Sequence, residues 1–230
     1  VQLTPPGSAS DWERPLVPSG TPLRLLVVAD TSASMDRSQR ANQNAVLGAL
    51  LGALTPKDTM DVAGCDVNCD WAFEKPVPAT AEHVAAARKF VEARASLGWT
   101  DLDKALASAL ARAEPGTHVI YLGDATPTTG NADPVAFADR LQRMYQGKSG
   151  TFHAVALGST YEPLALKAIG SLGGGSVRRV SADRTPQATA LDLLTEIASP
   201  SLRDVKVEFT GVRVARVYPE VLPNVPAGTQ

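Results

Sequence analysis

Long apolar runs are missing from this 230-residue sequence. None reaches the roughly 18 residues that a membrane-spanning helix needs. The longest, Ala45-Val46-Leu47-Gly48-Ala49-Leu50-Leu51, has the length of one helix of a core. An excess of either charge is missing too: 22 Lys and Arg stand against 24 Asp and Glu, for a net charge of -2 and a pI near 5.9. That leaves no basic footprint for nucleic acid or an anionic membrane surface. Cysteine is limited to Cys65 and Cys69. A lone C-x3-C without a second pair does not make a zinc site. It leaves two readings, a pair of small thiols near a strand end or a disulfide across a hairpin, and the bridge would imply an oxidising compartment. No Gly-x-x-x-x-Gly-Lys-Ser/Thr loop occurs, which excludes a P-loop nucleotide hydrolase. The first residues lack a basic stretch followed by an apolar one, so any signal peptide is expected to have been removed or never present, and the chain reads as a piece of a longer protein.

What is present is alternation. A Pro-, Gly- and Ser-rich linker (Pro5-Pro6-Gly7-Ser8, Pro18-Ser19-Gly20) follows a short expected strand, Val1-Gln2-Leu3. Leu23-Arg24-Leu25-Leu26-Val27-Val28-Ala29 is then almost wholly apolar, the pattern of a strand buried on both faces of a parallel sheet. Helical spacing takes over at 38–54, through Val46, Leu47, Leu50, Leu51 and Leu54. Strands at 60–65 and 70–73 read as an edge hairpin. Helices are expected over 80–95 and 102–113, a strand over 118–122, a helix over 133–146 and a strand over 152–157. A helix over 162–172 stops at Gly173-Gly174-Gly175. After a strand at 177–180, Thr185 and Pro186 supply an N-cap and first-turn proline for a helix to 198. Such alternation predicts a mostly parallel sheet with helices on both faces. Beyond Pro200 the period changes to two, over 205–209 and 212–217. The expected organisation is therefore a strand and linker at 1–21, an α/β domain at 22–200, and a β extension at 201–230 opening a further β-rich region. Val1-Gln2-Leu3 is a candidate partner for that extension.

In an open parallel sheet, ligands gather beyond the carboxyl ends of the strands, where strand order reverses. The first strand runs into Asp30-Thr31-Ser32-Ala33-Ser34, and the strand at 118–122 into Gly123-Asp124-Ala125-Thr126. Gly98-Trp99-Thr100-Asp101 leads into the helix at 102–113. These loops offer carboxylates and hydroxyls with no His or Cys, an oxygen set suited to a hard cation: Mg2+ first, Mn2+ or Ca2+ as alternatives. The D-x-S-x-S spacing lets Asp30, Ser32 and Ser34 turn toward one point. By itself that motif is also the usual composition of strand-to-helix loops and caps. Thr100 and Asp124, each in an adjoining loop, are what favour an ion.

Asp30-x-Ser32-x-Ser34, Thr100 and Asp124 resemble, in order and interval, the metal-ion-dependent adhesion site of von Willebrand factor type A domains, over about residues 22–200. The resemblance implies a Rossmann-like, doubly wound sheet of six strands in the order 3-2-1-4-5-6, with strand 3 antiparallel at an edge. It implies that the serines and Thr100 ligate the ion and that the aspartates act directly or through water. It also implies a binding role without catalysis, with a protein partner supplying an Asp or Glu that completes the coordination. Trp99, Asp101 and Thr126 would form the rim; the other reading of Trp99 is a lid packed on neighbouring loops. Two positions depart from the family: Trp99 stands where it often has Gly, and Ala125 follows Asp124 where Gly is common. The flanks, Val1-Gln2-Leu3-Thr4-Pro5-Pro6 and residues 217–228, resemble bacterial relatives of inter-alpha-trypsin inhibitor heavy chains, which implies a cell-surface, periplasmic or secreted setting.

Two rival readings stand beside this one. Asp30 as a phosphoryl-accepting nucleophile resembles haloacid dehalogenase enzymes, but Ser32 occupies the place of their second Asp, and only Lys148 and Lys167 are at hand. A purely structural module of the same fold would need no ion. A Ser-His-Asp triad lacks a base, since His83 falls on a helix and His118 and His153 begin strands, at the far edge from these loops.

Overall fold

The computed structural model describes residues 21–94, 98–129, 132–199, 201–202 and 225–226. In chain order these comprise β1 (Arg24–Asp30), α1 (Arg37–Gly52), β2 (Thr59–Cys65), β3 (Cys69–Trp71), β4 (Val77–Pro78), α2 (Ala81–Glu92), α3 (Leu102–Arg112), β5 (Thr117–Leu122), α4 (Pro134–Tyr145), β6 (Thr151–Ala156), α5 (Pro163–Gly170), β7 (Val177–Arg179) and α6 (Pro186–Ala198). The sheet runs β3-β2-β1-β5-β6-β7, with β3 antiparallel to β2 and the other neighbours on this path parallel. This is the expected order with one strand added: β4 also pairs antiparallel with β2, at Thr59 and Met60. Two residues, one of them a proline, carry no periodicity to read, and a proline is tolerated there because the strand lies at the edge.

The central strands are buried on both faces, and their alternate residues feed two cores. Leu25, Val27 and Ala29 of β1 join Ile120 and Leu122 against α1, α2 and α6, around Val46, Leu50, Ala87 and Leu193. Leu26 and Val28 join Val119 and Tyr121 against α3, α4 and α5, around Leu106, Phe137 and Ile169. A period of two in the strands thus serves helices on both sides, which is why the strands read as unbroken apolar runs. The helix signals also hold. Asp36 and Gln39 form a reciprocal capping box on α1, and Thr185 caps α6 with Pro186 in its first turn. Helix α5 ends at Gly170, and Gly173 and Gly174 take positive φ in the short turn that follows.

Cys65 and Cys69 face each other across the β2–β3 pair and are joined in a disulfide, with Cα atoms 4.2 Å apart. Beyond the α/β unit, β8 (Ser201–Leu202) pairs antiparallel with β9 (Val225–Pro226). The strands expected at 1–3, 205–209 and 212–217 lie outside the described residues. No described helix is long and apolar enough to cross a membrane.

Candidate functional site

The order reverses between β1 and β5, whose carboxyl ends lie side by side at the middle of the sheet. Gln43 on α1 fastens them together: its amide donates to the carbonyls of Asp30 (2.8 Å) and Leu122 (2.9 Å). Gly123 continues β5 so close to β1 that a Cβ there would sit 2.6 Å from the Asp30 Cβ. Glycine is required here by space, not by dihedral angle.

Asp30 is 1% exposed. Its Oδ1 accepts the Ser32 N–H at 2.9 Å and its Oδ2 the Tyr121 hydroxyl at 2.8 Å. The Ser32 and Ser34 hydroxyls lie 2.8 Å apart, Ser32 buried and Ser34 exposed. Outside them, Thr31 turns away to bond the Cys65 carbonyl through both its N–H (2.8 Å) and hydroxyl (3.2 Å). Arg40 donates to the Thr31 and Ser32 carbonyls. Thr31 is therefore tied to the scaffold, while Asp30, Ser32 and Ser34 are linked to one another.

The loop around Gly98–Asp101 is hydrogen-bonded both to this one and to the segment that follows Asp124. Ala33 N–H donates to the Gly98 carbonyl at 3.0 Å. The Thr100 N–H donates to the Thr128 hydroxyl at 2.6 Å, and the Thr100 carbonyl accepts from Thr129. Asp124, 2% exposed, accepts the Thr126 N–H at 2.9 Å. The Thr100 hydroxyl is buried without a hydrogen-bond partner among the described residues. An orphaned buried hydroxyl costs about 1–3 kcal/mol, and this one lies in the loop that is bonded to Ala33 on one side and to Thr128 and Thr129 on the other. Among the described residues no group of three or more His, Cys, Asp or Glu side chains is placed to hold an ion. The three loops carry two carboxylates and three hydroxyls among the candidate residues, a donor set whose chemistry fits a hard cation.

Burial pushes the Asp30 carboxyl up to about 6; hydrogen bonds from Ser32 and Tyr121 oppose the rise and the Asp124 charge adds to it. Burial, with the Asp30 and Asp124 charges, also holds the Tyr121 phenol well above its usual range, so it stays a donor. A raised carboxyl binds its proton more tightly folded than unfolded. Its contribution to metal-free stability therefore falls as pH rises from about 4 to about 6, by on the order of 3 kcal/mol. An ion bound here would need the carboxylate and would offset that cost. A divalent ion bound through this carboxylate would raise the melting temperature little near pH 5, more as pH passes about 6, and by a constant amount from about pH 7.5. Differential scanning fluorimetry across that range checks this.

At the rim, Trp99 is 60% exposed, which is not the packing of a lid. Asp101 is largely engaged in capping α3: it accepts the Lys104 N–H at 3.0 Å and pairs with the Lys104 ammonium. Thr126 is half-buried and reaches Asp124 through its backbone. Three of the groups that the catalytic readings would need lie away from these loops. His118 and His153 are hydrogen-bonded to each other at 3.2 Å near the amino ends of β5 and β6, and Lys148 follows the carboxyl end of α4, the end of the unit away from Asp30. Sequence reasoning passed over Tyr121, Gln43, Gln39 and Arg40. Gln39 and Gln43 sit on the same line of α1 as Val46, Leu47 and Leu50 and are 4% and 2% exposed. Two polar residues prolonging a core stripe were the available signal.

A doubly wound α/β unit with an oxygen-lined loop cluster at its switch point defines a class of ligand-binding domain. Residues 23–178 match the von Willebrand factor type A domain family, and the chain belongs to it. It is 24% identical over 220 residues to human inter-alpha-trypsin inhibitor heavy chain H6, covering 90% of this chain and 17% of that protein's length. A von Willebrand factor type A structure from Catenulispora acidiphila matches with a TM-score of 0.62 at 22% identity, over 77% of this chain and 42% of that one. Proximal thread matrix protein 1 of the mussel byssus, solved with a zinc-occupied metal-ion-dependent adhesion motif, matches with a TM-score of 0.54 at 13% identity, over 77% and 48%.

Proposed function

We propose that the domain binds a divalent cation through Asp30, Ser32, Ser34 and Thr100, with Asp124 direct or water-bridged, and uses it to grip a protein partner that presents an Asp or Glu. The observation that carries this reading is the Thr100 hydroxyl, buried and unpartnered beside two carboxylate loops. The ion supplies a positive centre for an incoming carboxylate. Asp30 and Asp124 contribute two negative charges, so a 2+ ion is balanced without being over-neutralised. Ser34 is exposed and Trp99 stands out at the rim, so the approach is open on that side. Mg2+ is the first choice of ion, with Mn2+ or Ca2+ as alternatives. The mussel protein, which shares the fold, was solved with zinc in its adhesion motif, which supports a divalent ion here. The reading is a binding module without turnover, set outside the cytoplasm as the heavy-chain resemblance implies.

Thr100→Val tests it through a difference in sign. A buried orphan hydroxyl replaced by a methyl should leave metal-free stability unchanged or raise it by about 1 kcal/mol. The same change removes a ligand and should weaken Mg2+ binding about tenfold. Thermal melts and calorimetric titration of the variant read both. Equal Mg2+ affinity in the variant and the wild type would count against Thr100 as a ligand.

A further inference from the structure

The three adhesion loops account for Asp30, Ser32, Ser34, Thr100 and Asp124, but not for the phenol buried beneath them. Tyr121 is 1% exposed on β5, one face of which packs against α3–α5. Its hydroxyl donates to Asp30 Oδ2 at 2.8 Å and accepts the Ala125 N–H at 3.2 Å. One atom thus joins the end of β1 to the loop that carries Asp124. Ala125 has φ of 52°, a left-handed conformation that costs a non-glycine residue, and the Tyr121 oxygen helps hold it there. Gly123 leaves the room: a Cβ at 123 would lie 2.4 Å from the same oxygen.

The consequence for Asp30 is directional. Both of its carboxylate oxygens already accept a hydrogen bond, Oδ1 from Ser32 N–H and Oδ2 from Tyr121. Coordination of one ion through both oxygens would have to compete with both bonds, and at Oδ2 the competitor is the tyrosine. Ca2+ prefers six to eight oxygens and often takes a carboxylate through both; Mg2+ demands a small octahedron, takes single oxygens and keeps waters. We infer that Tyr121 is the residue that sets the choice of ion, by engaging Asp30 Oδ2 and so disfavouring coordination through both oxygens, which would favour Mg2+ and Mn2+ over Ca2+. Tyr121 touches no ion itself; it is a positioning residue, and the inference rests on the metal-binding reading above.

The test is the ratio of Mg2+ to Ca2+ affinity, by calorimetric titration of metal-stripped wild type, Tyr121→Phe and Ala125→Gly. The wild type should prefer Mg2+. In Tyr121→Phe, Asp30 Oδ2 is released, and the ratio should fall by about tenfold, the equivalent of one hydrogen bond to a charged group, whatever happens to overall affinity. Ala125→Gly loosens the same loop without freeing Asp30 and should leave the ratio within about twofold of wild type, since neither ion gains an oxygen. Affinity for both ions falling in parallel in Tyr121→Phe would reduce the tyrosine to a structural role and overturn the inference. Were that variant not to fold, a wild type that binds Ca2+ as tightly as Mg2+ would overturn it as well. Binding of neither ion to wild type would remove the metal-binding reading, and the inference with it.

Discussion

Replacing Asp30 by Asn is expected to make the metal-free protein more stable near pH 8 and unresponsive to Mg2+. Ionising the buried carboxyl, whose pKa is pushed up to about 6, costs the folded state on the order of 3 kcal/mol. An amide removes that cost. It keeps an oxygen for the Ser32 N–H but meets the Tyr121 hydroxyl less well, which returns about 1–2 kcal/mol. The net expectation is a gain of about 1–2 kcal/mol over the metal-free wild type. In the wild type an ion that binds only the folded state stabilises by linkage, about 2.7 kcal/mol at a hundredfold excess over Kd. For a domain of this size that is a rise of about 5–10 °C. The Asn variant should melt at one temperature with or without Mg2+. A residue that raises metal-free stability when its charge is removed, and abolishes the ion's effect, is acting for binding at the expense of the fold.

The second large effect lies behind the site. Arg112, at the end of α3, pairs with Asp61 of β2, donates to the Phe73 carbonyl (3.1 Å) and the Glu74 carbonyl (3.0 Å), and lies over the Trp71 ring at 4.4 Å. Asp61 is fully buried; burial pushes its carboxyl above the ordinary value, and bonds from Val62 and Arg112 oppose the rise. Removing the arginine strands a buried carboxylate, which costs about 3–5 kcal/mol. Arg112→Met should therefore lower the urea midpoint by on the order of 1–2 M. Arg112→Lys should recover little, because an ammonium cannot reproduce the flat fork that serves a carboxylate, two carbonyls and an indole face at once. The damage should also reach the site, since the hairpin that Arg112 holds ends in Asp66, whose carbonyl accepts the Asp101 N–H beside Thr100.

These contrasts show what the sequence made legible. The central strands announced themselves because burial on both faces makes Leu25–Ala29 and 118–122 continuous apolar runs. The site loops were legible because the polar residues follow those strands at once: Asp30 after Ala29, Asp124 after Gly123. Strand order was not a matter of periodicity; it came with the family resemblance and agrees with the observed sheet. The supports of the site were hidden for a physical reason. Tyr121 falls in a buried strand, where an aromatic residue is ordinary, and only the meeting of β1 and β5 puts its hydroxyl against Asp30. Arg112 ends a helix, where a basic residue is expected whether or not it has a buried partner. The pairing of Cys65 with Cys69 turned on whether the two strands paired in register, which spacing left open and the β2–β3 ladder shows.

Direct titration of metal-stripped wild type with Mn2+, followed by electron paramagnetic resonance at neutral pH, tests the central claim most directly. Mn2+ shares the oxygen chemistry of Mg2+, and its free-ion signal disappears on binding. The signal should stay suppressed up to one equivalent per chain and return when excess Mg2+ is added, and the Asp30→Asn protein should leave it untouched. A free-ion signal that rises in proportion from the first addition to the wild type would contradict the account.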